Sequence, residues 1–180
     1  MERLIIEELL QWKTSPRRKP LILNGARQVG KTWILKHFGE MHYDNVAYIN
    51  CDKESLAAKL FEDYDVKRII QALEAMTNTQ IVAGKTLIII DEIQEVPRGL
   101  HALKYFAENA PEQHIAVAGS LLGLLLHQGE SFPVGKVNML QMYPMTFLEF
   151  LKAIGEDKMY QQLVNREWSV TNTVHEKIVK

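Results

Sequence analysis

Eight consecutive residues, Gly25-Ala26-Arg27-Gln28-Val29-Gly30-Lys31-Thr32, fit the spacing G-x-x-x-x-G-K-[ST], the Walker A pattern. The chemistry follows from the residue types. Gly25 and Gly30 let the backbone curl so that the N–H groups of Ala26, Arg27, Gln28 and Val29 point inward at a phosphate chain. A helix opening at Lys31 presents its free N–H groups and positive dipole end to the same anion. Lys31 is then placed to reach the β- and γ-phosphates of a nucleotide, and the Thr32 hydroxyl to ligate Mg²⁺. A chance glycine-rich turn is the plain alternative. The aliphatic strand before the loop and the helix after it favour the phosphate cradle.

About 60 residues further on, Leu87-Ile88-Ile89-Ile90 runs into Asp91-Glu92, as a Walker B strand does. A buried strand ends in two carboxylates most naturally at the C-terminal edge of a parallel sheet, where ligands bind. Asp91 would hold Mg²⁺ with Thr32 and the phosphates, and Glu92 would orient and polarise an attacking water. Without a phosphate loop in the chain, Asp91 could as well cap the next turn and Glu92 be solvated. Ile115-Ala116-Val117-Ala118-Gly119-Ser120 repeats the arrangement with a hydroxyl. Ser120 is either a polar sensor of the γ-phosphate or the cap of the leucine-rich helix after it.

Positioning these groups requires strands that end together. Short aliphatic strands are expected at Leu21–Leu23, Asn45–Asn50, Thr86–Ile90, Ile115–Ala118 and Val137–Met142. Between them fall helices at Lys31–Phe38, stopped by Gly39, at Asp52–Leu60 with Asp52 as N-cap, at Val66–Met76, at Pro97–Asn109, and through the leucines to His127. Another helix is expected over Met1–Trp12, with Leu4, Ile5, Leu9 and Trp12 on its apolar stripe. The alternation specifies an α/β fold, a mainly parallel sheet of about five strands covered on both faces. Residues 1–155 read as one domain. Residues 156–180 read as the start of a helical extension, because the amphipathic pattern of Val174–Lys180 stops without a terminator.

Composition excludes several alternatives. The 180 residues are 47% hydrophobic and 24% charged, with 21 Lys and Arg against 22 Asp and Glu. Such a balance is globular and too neutral for a general nucleic-acid coat. The local run Arg17-Arg18-Lys19 keeps a nucleic-acid contact conceivable, although three charges before a strand are usually a solvated flank. The longest apolar runs fall far short of the roughly 20 residues that span a bilayer, so no membrane contact is expected and a cytoplasmic location is the default. A lone cysteine, Cys51, and scattered histidines argue against disulfides and zinc.

With these segments in place, the chain resembles a prokaryotic AAA-like ATPase family whose members often carry a DUF4143-type region after the ATPase domain. The resemblance rests on GARQVGKT at 25–32, Asp91-Glu92-Ile93-Gln94 followed by Pro97, Ala118-Gly119-Ser120, and Tyr143 to Phe150 matching a "PLSFxEF" element. It implies a three-layer, ASCE-type P-loop NTPase fold, with ATP and Mg²⁺ as ligands, and covers roughly residues 1–155. Lys136 stands where such proteins commonly have an arginine. Because lysine is a point charge rather than a fork, a phosphate-sensing role does not carry over to it.

Three functions fit these features. The first is an ATPase domain that hydrolyses ATP slowly in isolation and drives a conformational change in an attached or partner domain. The second is a nucleotide-gated module with negligible turnover. The third is a small-molecule kinase, disfavoured because only Arg68, Arg98 and Arg166 lie beyond the phosphate loop to furnish a lid. No guanine-reading Asn-Lys-x-Asp segment occurs, which favours ATP. A missing C-terminal domain or self-association is the expected partner and the expected source of a catalytic cation, with Arg98 a candidate to serve a neighbouring copy.

Overall fold

The computed structural model describes residues 3–54, 56–120, 133 and 135–166. Five strands, β1 (Leu21–Gly25), β2 (Asn45–Asn50), β3 (Thr86–Asp91), β4 (His114–Ala118) and β5 (Asn138–Met142), form one sheet. Its order is β2-β3-β4-β1-β5, and every neighbouring pair is parallel. The described helices are α1 (Ile5–Thr14), α2 (Lys31–His42), α3 (Ala57–Leu60), α4 (Val66–Thr77), α5 (Pro97–Asn109), α6 (Phe147–Ala153) and α7 (Asp157–Val164). Residues Glu7–Tyr143 form one compact unit; the described residues of 3–6 and 144–166 form a second.

β3 and β4 are buried at every position, which is why their interiors, Leu87–Ile90 and Ile115–Ala118, are runs of Ile, Val, Leu and Ala. Successive side chains point to opposite faces. Ile22, Ala47, Ile49, Ile88, Ile90, Ile115 and Val117 pack with Leu60, Ile69, Leu73, Leu103 and Phe106 of α3, α4 and α5 in one cluster. α2 lies against the strands with Ile34, Leu35 and Phe38 fully buried. Alternation assigns Leu21, Leu23, Leu87 and Ile89 to that second face.

Two expected helix signals act differently from the sequence reading. Gly39 does not stop α2, which continues to His42. A Cβ at Gly39 would lie 2.5 Å from Val46 Cγ2 and 3.3 Å from Leu87 Cδ2, so the glycine lets the helix approach the sheet closely. Asp52 does not cap a helix either. Asn50 Oδ1 accepts from the amides of Asp52 and Lys53 in an Asx turn, and helical structure is confined to Ala57–Leu60. In α1, Ile5, Leu9 and Trp12 are buried as expected, whereas Leu4 precedes the helix and is exposed. The expected helices through the leucines and at Val174–Lys180 lie outside the described residues.

In the second unit, residues 144–150 of the Tyr143–Phe150 element gain a structural meaning. Thr146 and Glu149 form a reciprocal capping box that starts α6. The buried Glu149 carboxylate also accepts from Arg3 Nε at 3.1 Å and the Leu4 amide at 3.0 Å. Burial pushes its pKa up, but the hydrogen bonds from Thr146, Leu4 and Arg3 outweigh it and hold the carboxyl below the ordinary glutamate range.

Candidate functional site

The C-terminal ends of β1, β3 and β4 lie side by side, because β4 pairs with both others in parallel register. The loop after β1 and the carboxylates after β3 therefore meet at one edge of the sheet. Gly25 closes β1 opposite Met142, where a Cβ would sit 2.3 Å from the Met142 carbonyl oxygen. Gln28 (φ 65°) and Gly30 (φ 95°) take left-handed conformations that fold the loop back on itself. α2 then begins at Lys31, with Gly30 as N-cap and no side-chain bond capping its first turn.

Lys31 is buried, and its ammonium donates to the carbonyls of Gly25 (2.9 Å) and Ala26 (2.7 Å). Burial lowers its pKa, against the pull of the Glu92 and Asp91 carboxylates. Thr32 Oγ1 donates to Asp91 Oδ2 at 2.7 Å, and the Glu92 amide donates to Asp91 Oδ1 at 3.1 Å. The two motifs, far apart in sequence, thus share a hydrogen bond. Their hydroxyl and carboxylate oxygens suit Mg²⁺, a hard cation that takes one or two protein oxygens and fills its shell with water and phosphate. Among the described residues no three His, Cys, Asp or Glu side chains converge as a metal cluster.

Glu92 stands on a strained left-handed backbone (φ 51°) just past β3. Its Oε2 accepts from Gln94 Nε2 at 2.6 Å, while Gln94 Oε1 is buried and accepts nothing. Gln94 had no role in the sequence reading; its spacing two residues from Glu92 was the available signal. Ser120 is half-buried two residues beyond β4, at the same edge. Tyr48 was also missed. Its hydroxyl donates to Asp91 Oδ2 at 3.2 Å. Cys51 is buried, its thiol pushed up to about 12 by burial and then by Asp91, which suits packing rather than nucleophilic attack.

Other cations are engaged elsewhere. Arg98 donates from Nε to the Phe61 carbonyl at 3.3 Å and also bonds the Glu62 carbonyl, with its guanidinium 4.7 Å from the centre of the Tyr64 ring. Lys136 pairs with Glu108 at 2.9 Å, and Arg68 with Asp63 at 2.6 Å. Of the basic run, Arg18 bonds the Pro111 carbonyl and Lys19 the Gly135 carbonyl. No described helix is long and apolar enough to cross a membrane.

Comparison with known proteins bears on the family and the fold. A family model described as an AAA domain matches residues 17–151. An uncharacterized protein of Haemophilus influenzae is 27% identical over 171 residues, covering 91% of this chain but 40% of the relative's length. Among solved structures, Drosophila ORC bound to DNA aligns with TM-score 0.54 and 15% identity over 90% of this chain and 47% of that one. Aeropyrum pernix ORC1 in complex with DNA aligns at TM-score 0.49 and 16% identity, over 87% and 47%. The family match takes in well over half of the chain, and the chain belongs to the AAA-domain family of P-loop ATPase-like proteins.

Proposed function

We propose that this chain binds Mg-ATP on residues 25–32 and hydrolyses it slowly on its own, using the cycle to move an attached or partner domain in the cytoplasm. The observation that carries this reading is the 2.7 Å contact between Thr32 and Asp91, which joins the phosphate loop to the carboxylate edge. The loop amides and the α2 N-terminus would hold the phosphates, with Lys31 exchanging its two carbonyl partners for phosphate oxygens. Thr32 and Asp91 would hold magnesium, which supplies charge neutralisation at the β- and γ-oxygens. Glu92 would orient and deprotonate the attacking water, and Ser120 would sense the γ-phosphate. Residues 1–155 constitute the ATPase domain in this reading, and 156–180 begin a helical extension.

The placement of three cations supports slow turnover. Arg98, Lys136 and Arg68 are bound to carbonyls or carboxylates, and a missing arginine finger costs ~10³–10⁵ in rate. The likeness to DNA-bound ORC is one of fold, and Arg18 and Lys19 are already bonded to carbonyls, so DNA is not part of this reading. The Gln94 bond to Glu92 favours a second reading, a nucleotide-gated module with negligible turnover until that carboxylate is released. Phosphate release from ATP, followed at increasing protein concentration, tests the proposal. Turnover well below once per second that rises on self-association or on adding a partner domain supports it. Fast, concentration-independent hydrolysis by the monomer contradicts it.

A further inference from the structure

β2 alternates in burial. Ala47 and Ile49 enter the core, while Tyr48 and Asn50 stand partly exposed on the other face. The register sets Tyr48 opposite Ile89 and Asn50 opposite Asp91, bringing the phenol beside the carboxylate. Tyr48 Oη lies 3.2 Å from Asp91 Oδ2, the same oxygen that Thr32 Oγ1 reaches at 2.7 Å. Two further contacts fix the ring. Lys36 Nζ, one turn along α2 from Thr32, sits 3.4 Å from the ring centre, and Asn50 Nδ2 donates to the phenol oxygen at 3.4 Å.

A phenol has one proton to give. With Asn50 donating to its oxygen, that proton goes to Asp91. Among the described residues, the donors on this carboxylate are Thr32 and Tyr48 on Oδ2 and the Glu92 amide on Oδ1. The Thr32 hydroxyl belongs to the magnesium site itself. The phenol does not, so it would remain free to donate to Asp91 with the metal in place. We propose that Tyr48 is the positioning residue for the magnesium-holding carboxylate, fixing the Asp91 rotamer from the neighbouring strand. The inference rests on the Mg-ATP reading of Thr32 and Asp91 and adds to it a residue outside both motifs.

Hydrogen-bond partners of metal-ligating groups typically contribute 10–100-fold in metal affinity. Tyr48→Phe keeps the ring that Lys36 faces and removes the hydroxyl, and with it both the bond to Asp91 and the long Asn50 contact. The test measures binding of a fluorescent ATP analogue by the whole chain, in EDTA and across a magnesium titration. In Tyr48→Phe, affinity in EDTA should stay within about twofold of the parent, while the magnesium concentration for half-maximal tightening should rise about tenfold. In an Asp91→Asn background, adding Tyr48→Phe should change nothing further. The proposal fails if Tyr48→Phe titrates with magnesium as the parent does, if affinity falls equally with and without the metal, or if the two substitutions act additively. A parent protein whose affinity ignores magnesium overturns the Thr32–Asp91 assignment itself, and this inference with it.

Discussion

Acidification between pH 6.5 and 4.5 should destabilise this chain before most carboxylates titrate, and His114 is the group responsible. It opens β4 at 6% exposure, with Nδ1 2.7 Å from the Tyr43 hydroxyl and the Trp12 ring edge-on at 6.0 Å. Burial, reinforced by repulsion from Arg18 and Lys13, lowers its pKa from 6.5 to about 4. The unfolded chain therefore takes up this proton first. The neutral imidazole's stabilisation is fully present above pH 6.5, declines as pH falls, and is gone below about 4. At 1.36 kcal/mol per pH unit, the whole effect is roughly 3 kcal/mol, most of it lost by pH 4.5. His42, whose pKa is also lowered by burial and by Lys13, acts in the same direction. Urea unfolding at several pH values measures the slope. His114→Gln should lower stability at pH 7 and flatten the decline between pH 6.5 and 4.5. Parallel pH profiles for parent and variant would show that the imidazole is already protonated, or solvated, in the native state.

Two further substitutions separate the site from its scaffold. Glu92→Gln should leave Mg-ATP binding intact while phosphate release falls by ~10²-fold or more, and undiminished release would move the water-orienting role to another residue. Gly39→Ala gains about 1 kcal/mol in helix propensity but forces Val46 aside, a crowding cost of ~1–3 kcal/mol. Its urea midpoint should therefore fall, and a rise would mean that α2 can lift from the sheet at little cost.

The glycine loop at 25–32 and the carboxylates ending β3 were legible as a candidate site because their information is local: a glycine spacing, an aliphatic run, a charge at its end. The strand positions followed for the same reason, since β3 and β4 are buried on both faces. What escaped the sequence depends on neighbours far along the chain. Gly39 looked like a helix stop because its clash partners, Val46 and Leu87, belong to two different strands. Asp52 looked like a cap because Asn50, the residue that bonds the turn, also fits a strand end. Tyr48 was visible only as a strand aromatic until the β2–β3 register set it beside Asp91. Arg98 was considered for a neighbouring active site, and its engagement with the carbonyls of Phe61 and Glu62 depends on how α5 meets the end of α3.

The claim beneath all of this is that residues 25–32 cradle the phosphates of ATP. Calorimetric titration of Mg-ATP into the parent chain and into Lys31→Ala tests it most directly. The ammonium now satisfies the Gly25 and Ala26 carbonyls, so the affinity it contributes is what phosphate contacts add beyond those bonds. Charge-assisted bonds of ~1.5–3 kcal/mol each leave an expected loss of about 1.5–3 kcal/mol, or roughly 10–150-fold in Kd. Saturable binding by the parent, weakened by that factor in Lys31→Ala, is the predicted result. Equal affinity in the two proteins, or no binding by the parent, would contradict the account.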